Sequence, residues 1–208
     1  MQAYYSERAP YYDAVYLKPE RAHDIAFLKT YLPERLAGRS VLEVACGTGY
    51  WTQDLAPVVP RLVATDATEE PLAFAKLRPG TEHVEYRIAD AYALPADLGT
   101  FDAAFAGLWF SHVPVEARGA FLAGLHARLA PGARVIFLDN SGVQCLEHPI
   151  RETDAHGNTY QHRPLRDGSV HRVLKNFPKE GEMRALVPAA RNATFRALEN
   201  FWLFEYDL

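Results

Sequence analysis

The sequence predicts an α/β fold with a largely parallel sheet covered by helices on both faces. Three observations carry this. Short apolar runs alternate with helical stretches between Ser40 and Leu138. A glycine-rich turn follows the first of those runs. Two strand-like segments close the chain, as an antiparallel pair on an otherwise parallel sheet.

Residues 1–18 are tyrosine-rich and aperiodic. Pro19 then opens a helix in which Ala22, Ile25, Ala26, Leu28, Tyr31 and Leu32 recur at helical spacing, closed by Pro33 and Gly38. Ser40–Ala45 reads as a buried strand. Strands are expected at Arg61–Thr65, Val84–Ile88, Phe101–Ala106 and Ala133–Leu138, with helices at Glu69–Leu77 and Val115–Leu129. Pro79-Gly80 and Pro131-Gly132 stop those two helices.

After Asn140 the alternation breaks. Residues 141–175 are polar and hold four of the eight histidines. Thr159–Leu165 and Val170–Lys175 flank Arg166-Asp167-Gly168-Ser169, a hairpin signal. A helix is expected at Lys179–Val187, stopped by Pro188, and Thr194–Leu208 reads as two strands turning near Glu199-Asn200.

Composition excludes several classes. At 208 residues, against roughly 150 per domain, a single domain is expected. A hydrophobic share of 49% argues against a disordered chain. A net charge of -4 argues against a nucleic-acid binder working through a broad basic face. The two cysteines, Cys46 and Cys145, form no CxxC and no disulfide framework. His148, His156, His162 and His171 show no metal-binding spacing, so no metal is expected. No apolar run reaches the ~18 residues of a membrane span, and the N-terminus lacks a signal-peptide pattern, so the expectation is cytoplasmic.

The chemistry concentrates in Val41-Leu42-Glu43-Val44-Ala45-Cys46-Gly47-Thr48-Gly49-Tyr50-Trp51-Thr52, a strand, a glycine turn and a helix start. Open α/β sheets bind nucleotides at such a place. The third glycine of a dinucleotide turn is replaced by Thr52. Glu43, inside the strand, disfavours a pyrophosphate and suits a positively charged ligand. Asp66 ends the second strand, where a carboxylate can accept from both ribose hydroxyls. Asp90 follows the third strand, placed to accept from an exocyclic adenine amine.

In order and spacing these features resemble the class I S-adenosylmethionine-dependent methyltransferases. The likeness is to small-molecule enzymes of the methyltransferase type 11 and ubiquinone/menaquinone methyltransferase kind. It covers roughly Tyr4–Leu138, including Phe101-Asp102-Ala103-Ala104-Phe105 and Leu129-Ala130-Pro131-Gly132-Ala133. Ala45 stands where the family most often has a glycine. The resemblance implies a Rossmann-like seven-stranded mixed sheet, order 3-2-1-4-5-7-6, with the seventh strand antiparallel and a lid insertion after strand 5. It implies S-adenosyl-L-methionine as cofactor, held by Glu43, Ala45, Gly47, Gly49, Asp66, Asp90 and Ala91. Thr48, Trp51, Ala67, Tyr92 and Gly107 complete the expected set, with Tyr5 and Tyr16 from the tyrosine-rich start.

The acceptor side is expected beyond the fourth and fifth strands. His112 is the general-base candidate, with a helix-capping role as its alternative. Trp109 can wall the site; Asp139 and Asn140 bind the acceptor or merely end their strand. Tyr4, Tyr160 and Arg163 are further substrate candidates from the two lid segments. The chain thus divides into an N-terminal lid and helix (1–38), a cofactor-binding core (39–140), a substrate lid or hairpin (141–175) and a C-terminal helix with its strand pair (176–208).

The expected activity is methyl transfer to a small aromatic or heterocyclic acceptor, by a monomer or homodimer with no nucleic-acid or membrane partner. Two alternatives stay open: a nicotinamide-dependent oxidoreductase, which lacks both the third glycine and a Y-x-x-x-K pair, and a non-catalytic adenosyl-ligand-binding module.

Overall fold

The computed structural model describes residues 2–208. Seven strands form one sheet: β1 (Ser40–Val44), β2 (Arg61–Asp66), β3 (Glu85–Ile88), β4 (Phe101–Gly107), β5 (Leu129–Asn140) and the late pair β9 (Arg191–Ala197) and β10 (Phe201–Asp207). Their order is β3-β2-β1-β4-β5-β10-β9. The pairs from β3 to β5 are parallel, and β10 runs antiparallel to both its neighbours. This is the expected order, with β10 as the seventh strand of the sheet.

Each face buries its own apolar cluster. On one, α2 (Ala22–Leu36) lays Ile25, Leu28, Leu32 and Leu36 against Val41, Leu62, Phe105 and Ile136. On the other, α5 (Arg118–His126) lays Phe121, Leu122 and Leu125 against Leu42, Val44, Val135 and Phe137. Alternation along β1 explains the split, since successive side chains point to opposite faces. A fully buried side chain such as Leu28 or Phe121 is worth about 1.5–3 kcal/mol. The shorter helices α3 (Thr52–Leu55), α4 (Glu69–Ala75) and α6 (Glu180–Leu186) complete the layers.

Four elements differ from expectation. Residues 2–15 are not irregular: α1 (Gln2–Arg8) runs into 3-10 turns over Ala9–Val15. Pro33 does not end α2, because it sits in the last turn while Leu32 and Leu36 hold both its sides in the core. The helix expected over Val115–Leu129 ends at His126, and β5 starts before Pro131-Gly132, drawn into the ladder beside β4 and β10. Finally, β6 (Ile150–Thr153) adds a strand to the expected hairpin of β7 (Thr159–Pro164) and β8 (Val170–Leu174), making a separate three-stranded sheet.

This small sheet and α1 cap the carboxyl ends of the main strands. Tyr4 packs on Leu165 and Val173. Arg78 bonds Asp13 and the Thr48 carbonyl, and Thr48 Oγ1 donates to Asp13 at 2.7 Å, which ties the N-terminal segment to the glycine turn. Among the described residues no helix is long and apolar enough to cross a membrane.

Candidate cofactor and acceptor site

A cavity of about 270 Å³ opens at the carboxyl ends of β1, β2, β3 and β4, beneath α1. The glycine turn forms its floor. Ala45 adopts a left-handed conformation, φ 55°, normally costly for a residue with a Cβ. Gly49 is left-handed at φ 74°, and a Cβ there would come within 2.9 Å of Ala75, so it is needed for packing against α4. A Cβ on Gly107 would meet the Trp51 ring at 2.9 Å, so its absence lets that indole form the wall.

Three carboxylates face this end. Glu43 is 1% exposed, and its Oε2 accepts from Thr52 Oγ1 at 2.7 Å. Burial pushes its pKa up to about 8, against the Thr52 bond and helped by nearby Asp66. Asp66 accepts from Gly47 N at 2.9 Å and Thr68 N at 3.3 Å. Burial raises its pKa, and those N–H groups pull it back. Asp90 is exposed and accepts from Tyr92 N at 2.9 Å. None of the three has a cation within 4 Å among the described residues.

This donor set fits S-adenosylmethionine. Glu43 is a buried carboxyl with no cation within 4 Å among the described residues; it is held largely protonated near pH 7, and a ligand's positive charge would favour its ionised form. A pyrophosphate in its place would bring further negative charge to a site lined by three acidic side chains. Asp66 keeps acceptor capacity for ribose hydroxyls, and Asp90 with the Ala91 backbone can take the base.

At the other end, His112 is 4% exposed. Its Nδ1 donates to the Leu174 carbonyl at 2.6 Å, so Nε2 is the acceptor, and Tyr5 Oη donates to it at 2.8 Å. Burial, then Lys175, drive the imidazole pKa down to about 3, so it is neutral near pH 7. Trp109 stands beside it, with a buried Nε1 that has no partner among the described residues.

Behind this wall lies a buried ion pair. Lys175 Nζ donates to Asp139 Oδ1 at 2.7 Å and to Ser111 Oγ at 2.6 Å. Asp139 also accepts from Ser111 N and Asn140 N, each at 2.8 Å. Burial would raise its carboxyl, but Lys175, His112 and the Ser111 N–H together outweigh that and hold it below the usual range. Lys175 itself is pushed down to about 8 by burial.

The structure therefore sorts the sequence-predicted residues. Tyr5, Tyr16, Glu43, Ala45, Gly47, Thr48, Trp51, Asp66, Ala67, Asp90, Ala91, Tyr92, Gly107, Trp109 and His112 all line the cavity. Gly49 packs against α4 instead. Asp139 and Asn140 are buried behind the wall. Tyr4 packs on the small sheet, and Arg163 is buried in it. Tyr160 donates to Asp154 with Arg172 over its ring, away from the cavity.

Lining residues outside the expected set include Tyr12 and Cys46. Tyr12 belongs to the tyrosine-rich start, whose aperiodicity hid the chosen rings. Burial raises both its pKa and that of the Cys46 thiol, which is thereby kept protonated.

Comparison with known proteins agrees with this geometry. A family profile described as "Methyltransferase domain" matches residues 41–132. A demethylmenaquinone methyltransferase of Lactococcus lactis subsp. lactis is 32% identical over 112 residues, 51% of this chain and 44% of that protein. A ubiquinone biosynthesis O-methyltransferase of Azotobacter vinelandii is 36% identical over 107 residues, 50% of this chain and 45% of that protein. The chain thus spans less than half the length of these curated relatives. Among solved structures, the "DhpI-SAM-HEP complex" superposes with a TM-score of 0.80 at 28% identity, covering 99% of this chain and 94% of that one. The "DhpI-SAH complex structure" gives 0.74 at 29% identity, covering 98% and 93%.

Proposed function

We propose, from the premise that the chain belongs to the class I S-adenosylmethionine-dependent methyltransferases, that it transfers a methyl group from S-adenosyl-L-methionine to a small aromatic or heterocyclic acceptor. The observation that carries this is Glu43: a buried carboxyl lining the cavity, with a pKa of about 8 and no cation within 4 Å among the described residues. Two solved structures of this fold, named as complexes with SAM and SAH, support the choice of ligand.

Glu43 holds the cationic methionine end, Asp66 the ribose and Asp90 with Ala91 the base. The cofactor, when bound, supplies an electrophilic methyl on a sulfonium that leaves as a neutral thioether. The chain's own residues then orient the acceptor, exclude water and take up its proton. Trp51, Trp109, Tyr12 and Tyr16 enclose a flat acceptor, and the unpartnered Trp109 Nε1 offers it a donor.

His112 Nε2 is the proton acceptor. The Leu174 carbonyl fixes the Nδ1–H tautomer, so Nε2 keeps its lone pair toward the cavity, where Tyr5 Oη now occupies it. An acceptor hydroxyl or amine replaces that phenol. The low pKa makes this a weak base, so the proton moves as positive charge develops on the nucleophile. The quinone-methyltransferase names of the matched relatives support a small-molecule acceptor.

Calorimetric titration tests the reading. S-adenosylhomocysteine should bind with a one-to-one stoichiometry and NADH should not. Binding of NADH alone would replace methyl transfer with a nicotinamide reading.

A further inference from the structure

The inner face of the small sheet is polar. Along β7, Gln161 and Arg163 turn inward and are buried, as is Leu165 just past its end, whereas His162 and Pro164 are exposed. Lys175, just past β8, is buried with them. A lid over an apolar cavity would ordinarily bury apolar side chains here, and buried Arg is almost always paired with an acid.

Arg163 is 3% exposed and has no carboxylate within 4 Å among the described residues. Its guanidinium is held by neutral amides. Nε and Nη2 donate to Gln161 Oε1 at 3.0 and 2.6 Å, and Nη2 reaches Gln144 Oε1 at 3.4 Å. Gln161 is in turn fixed, its Nε2 donating to the His148 carbonyl at 2.5 Å. The neighbouring carboxylate, Asp139, already takes Lys175. Arg8 adds a second cation with no acid within 4 Å among the described residues, lying 5.3 Å over the Tyr12 ring and donating to Tyr4 Oη at 3.0 Å. Of these three cations, only Lys175 has a carboxylate within 4 Å among the described residues. Arg163 is not itself a lining residue; it lies behind the wall, near enough to Tyr5, Tyr12 and His112, which do line the cavity, to bear on their protonation.

Resting on the methyltransferase reading, we propose that the acceptor carries an anionic group, a carboxylate or comparable oxyanion, and that Arg163 selects for it. Gln161 and Gln144 hold the guanidinium in place without neutralising it, which leaves its charge for the ligand. Nε and Nη2 are taken up by the two amides, which leaves Nη1 as the donor for an oxyanion, a charge-assisted contact. Tyr5 and Tyr12 cover the approach and shift when the acceptor enters.

The test uses matched acids and amides: 4-hydroxybenzoate with 4-hydroxybenzamide, and glycolate with glycolamide. Each is added to the wild-type protein saturated with S-adenosylhomocysteine, and the shift in melting temperature is read. Turnover is followed in parallel, as S-adenosylhomocysteine release with S-adenosylmethionine as donor. The acid of at least one pair should bind, its amide should bind roughly tenfold or more weakly, and Arg163→Gln should erase the difference while S-adenosylhomocysteine affinity holds within about twofold. Arg163→Lys, which keeps the charge, should restore part of the preference. Equal binding of acid and amide overturns the proposal, as does binding of neither, or an unchanged preference in Arg163→Gln, which would leave Arg163 a pillar between Gln144 and Gln161. The wild-type comparison stands even if a variant fails to fold. Failure of S-adenosylhomocysteine itself to bind would instead sink the methyltransferase reading beneath it.

Discussion

The two ends of the crevice carry opposite charge and are built on different supports. The end under the glycine turn presents Glu43, Asp66 and Asp90 from the tips of three neighbouring parallel strands. The other end backs onto Arg163, Lys175 and Arg8, drawn from the small sheet and α1. At the first end the acids have no cation within 4 Å among the described residues; at the other, Lys175 is paired with Asp139 but Arg163 has no acid within that distance among the described residues. Uncompensated buried charge is costly, so it survives where a ligand completes it. The cofactor end is fixed by ladder hydrogen bonds. The acceptor end is assembled from segments far apart in the chain, joined by contacts such as Tyr5–His112 and Lys175–Asp139.

Substitutions at either end should separate the two. The largest effect is expected at His112. His112→Ala should lower turnover ~10²–10⁴-fold with S-adenosylhomocysteine affinity nearly kept. Unchanged turnover would remove His112 from proton transfer and leave it a strut for Leu174.

Next comes Glu43→Gln, which removes a charge-assisted contact worth about 1.5–3 kcal/mol, or roughly 10–150-fold in cofactor affinity. The same change should stabilise the ligand-free protein near neutral pH. The Glu43 pKa is about 8 in the fold, against 4.5 unperturbed. The folded chain therefore holds a proton that the unfolded chain releases, and stability falls as pH rises from about 5 to 8. Glu43→Gln should flatten that slope in thermal melts, and a slope as steep as in the wild type would place the titration elsewhere.

A smaller, graded effect is pH-linked. A cation on Glu43 draws off its proton, so affinity should rise as pH increases toward 8, by at most about tenfold per unit. Calorimetry in buffers of different ionisation enthalpy would register the released proton. An affinity flat between pH 6 and 8 would mean that Glu43 is already ionised. His112, already neutral, adds no acid limb near pH 6.

Asp90→Asn should cost least, a few-fold in affinity at about 1 kcal/mol, since Asp90 is exposed and water can replace its contact.

The sheet was legible because its strands are apolar runs punctuated by glycine and proline, as at Ser40–Val44 and Phe101–Gly107. The cofactor end was legible for a related reason. Its acids sit at or near the ends of those same strands, so finding the strand finds the acid. The acceptor end was not. The apolar partners of Tyr4 are Leu165 and Val173, more than a hundred residues away, so α1 shows no local periodicity. In β6 only Ile150 is apolar, among Arg151, Glu152 and Thr153, which masks the strand. The bond from Asp13 to Thr48 and its pairing with Arg78 join three segments that no spacing links. Tyr160 shows the converse: it shares a strand with Arg163 but points to the other face, a matter of parity that needs the register of β7 to settle.

The N-terminal segment reaches across the whole cavity. Tyr12 and Tyr16 line the cavity near Trp51, while Tyr5, seven and eleven residues earlier, plugs His112. One strap, latched at Asp13, therefore roofs both compartments, and neither ligand passes without loosening what covers the other. If both ligands pass beneath this strap, their traffic would be sequential, with the last product waiting on the contacts among Asp13, Thr48 and Arg78. Turnover in this chain would then be timed at the doorway as much as at the reacting carbon.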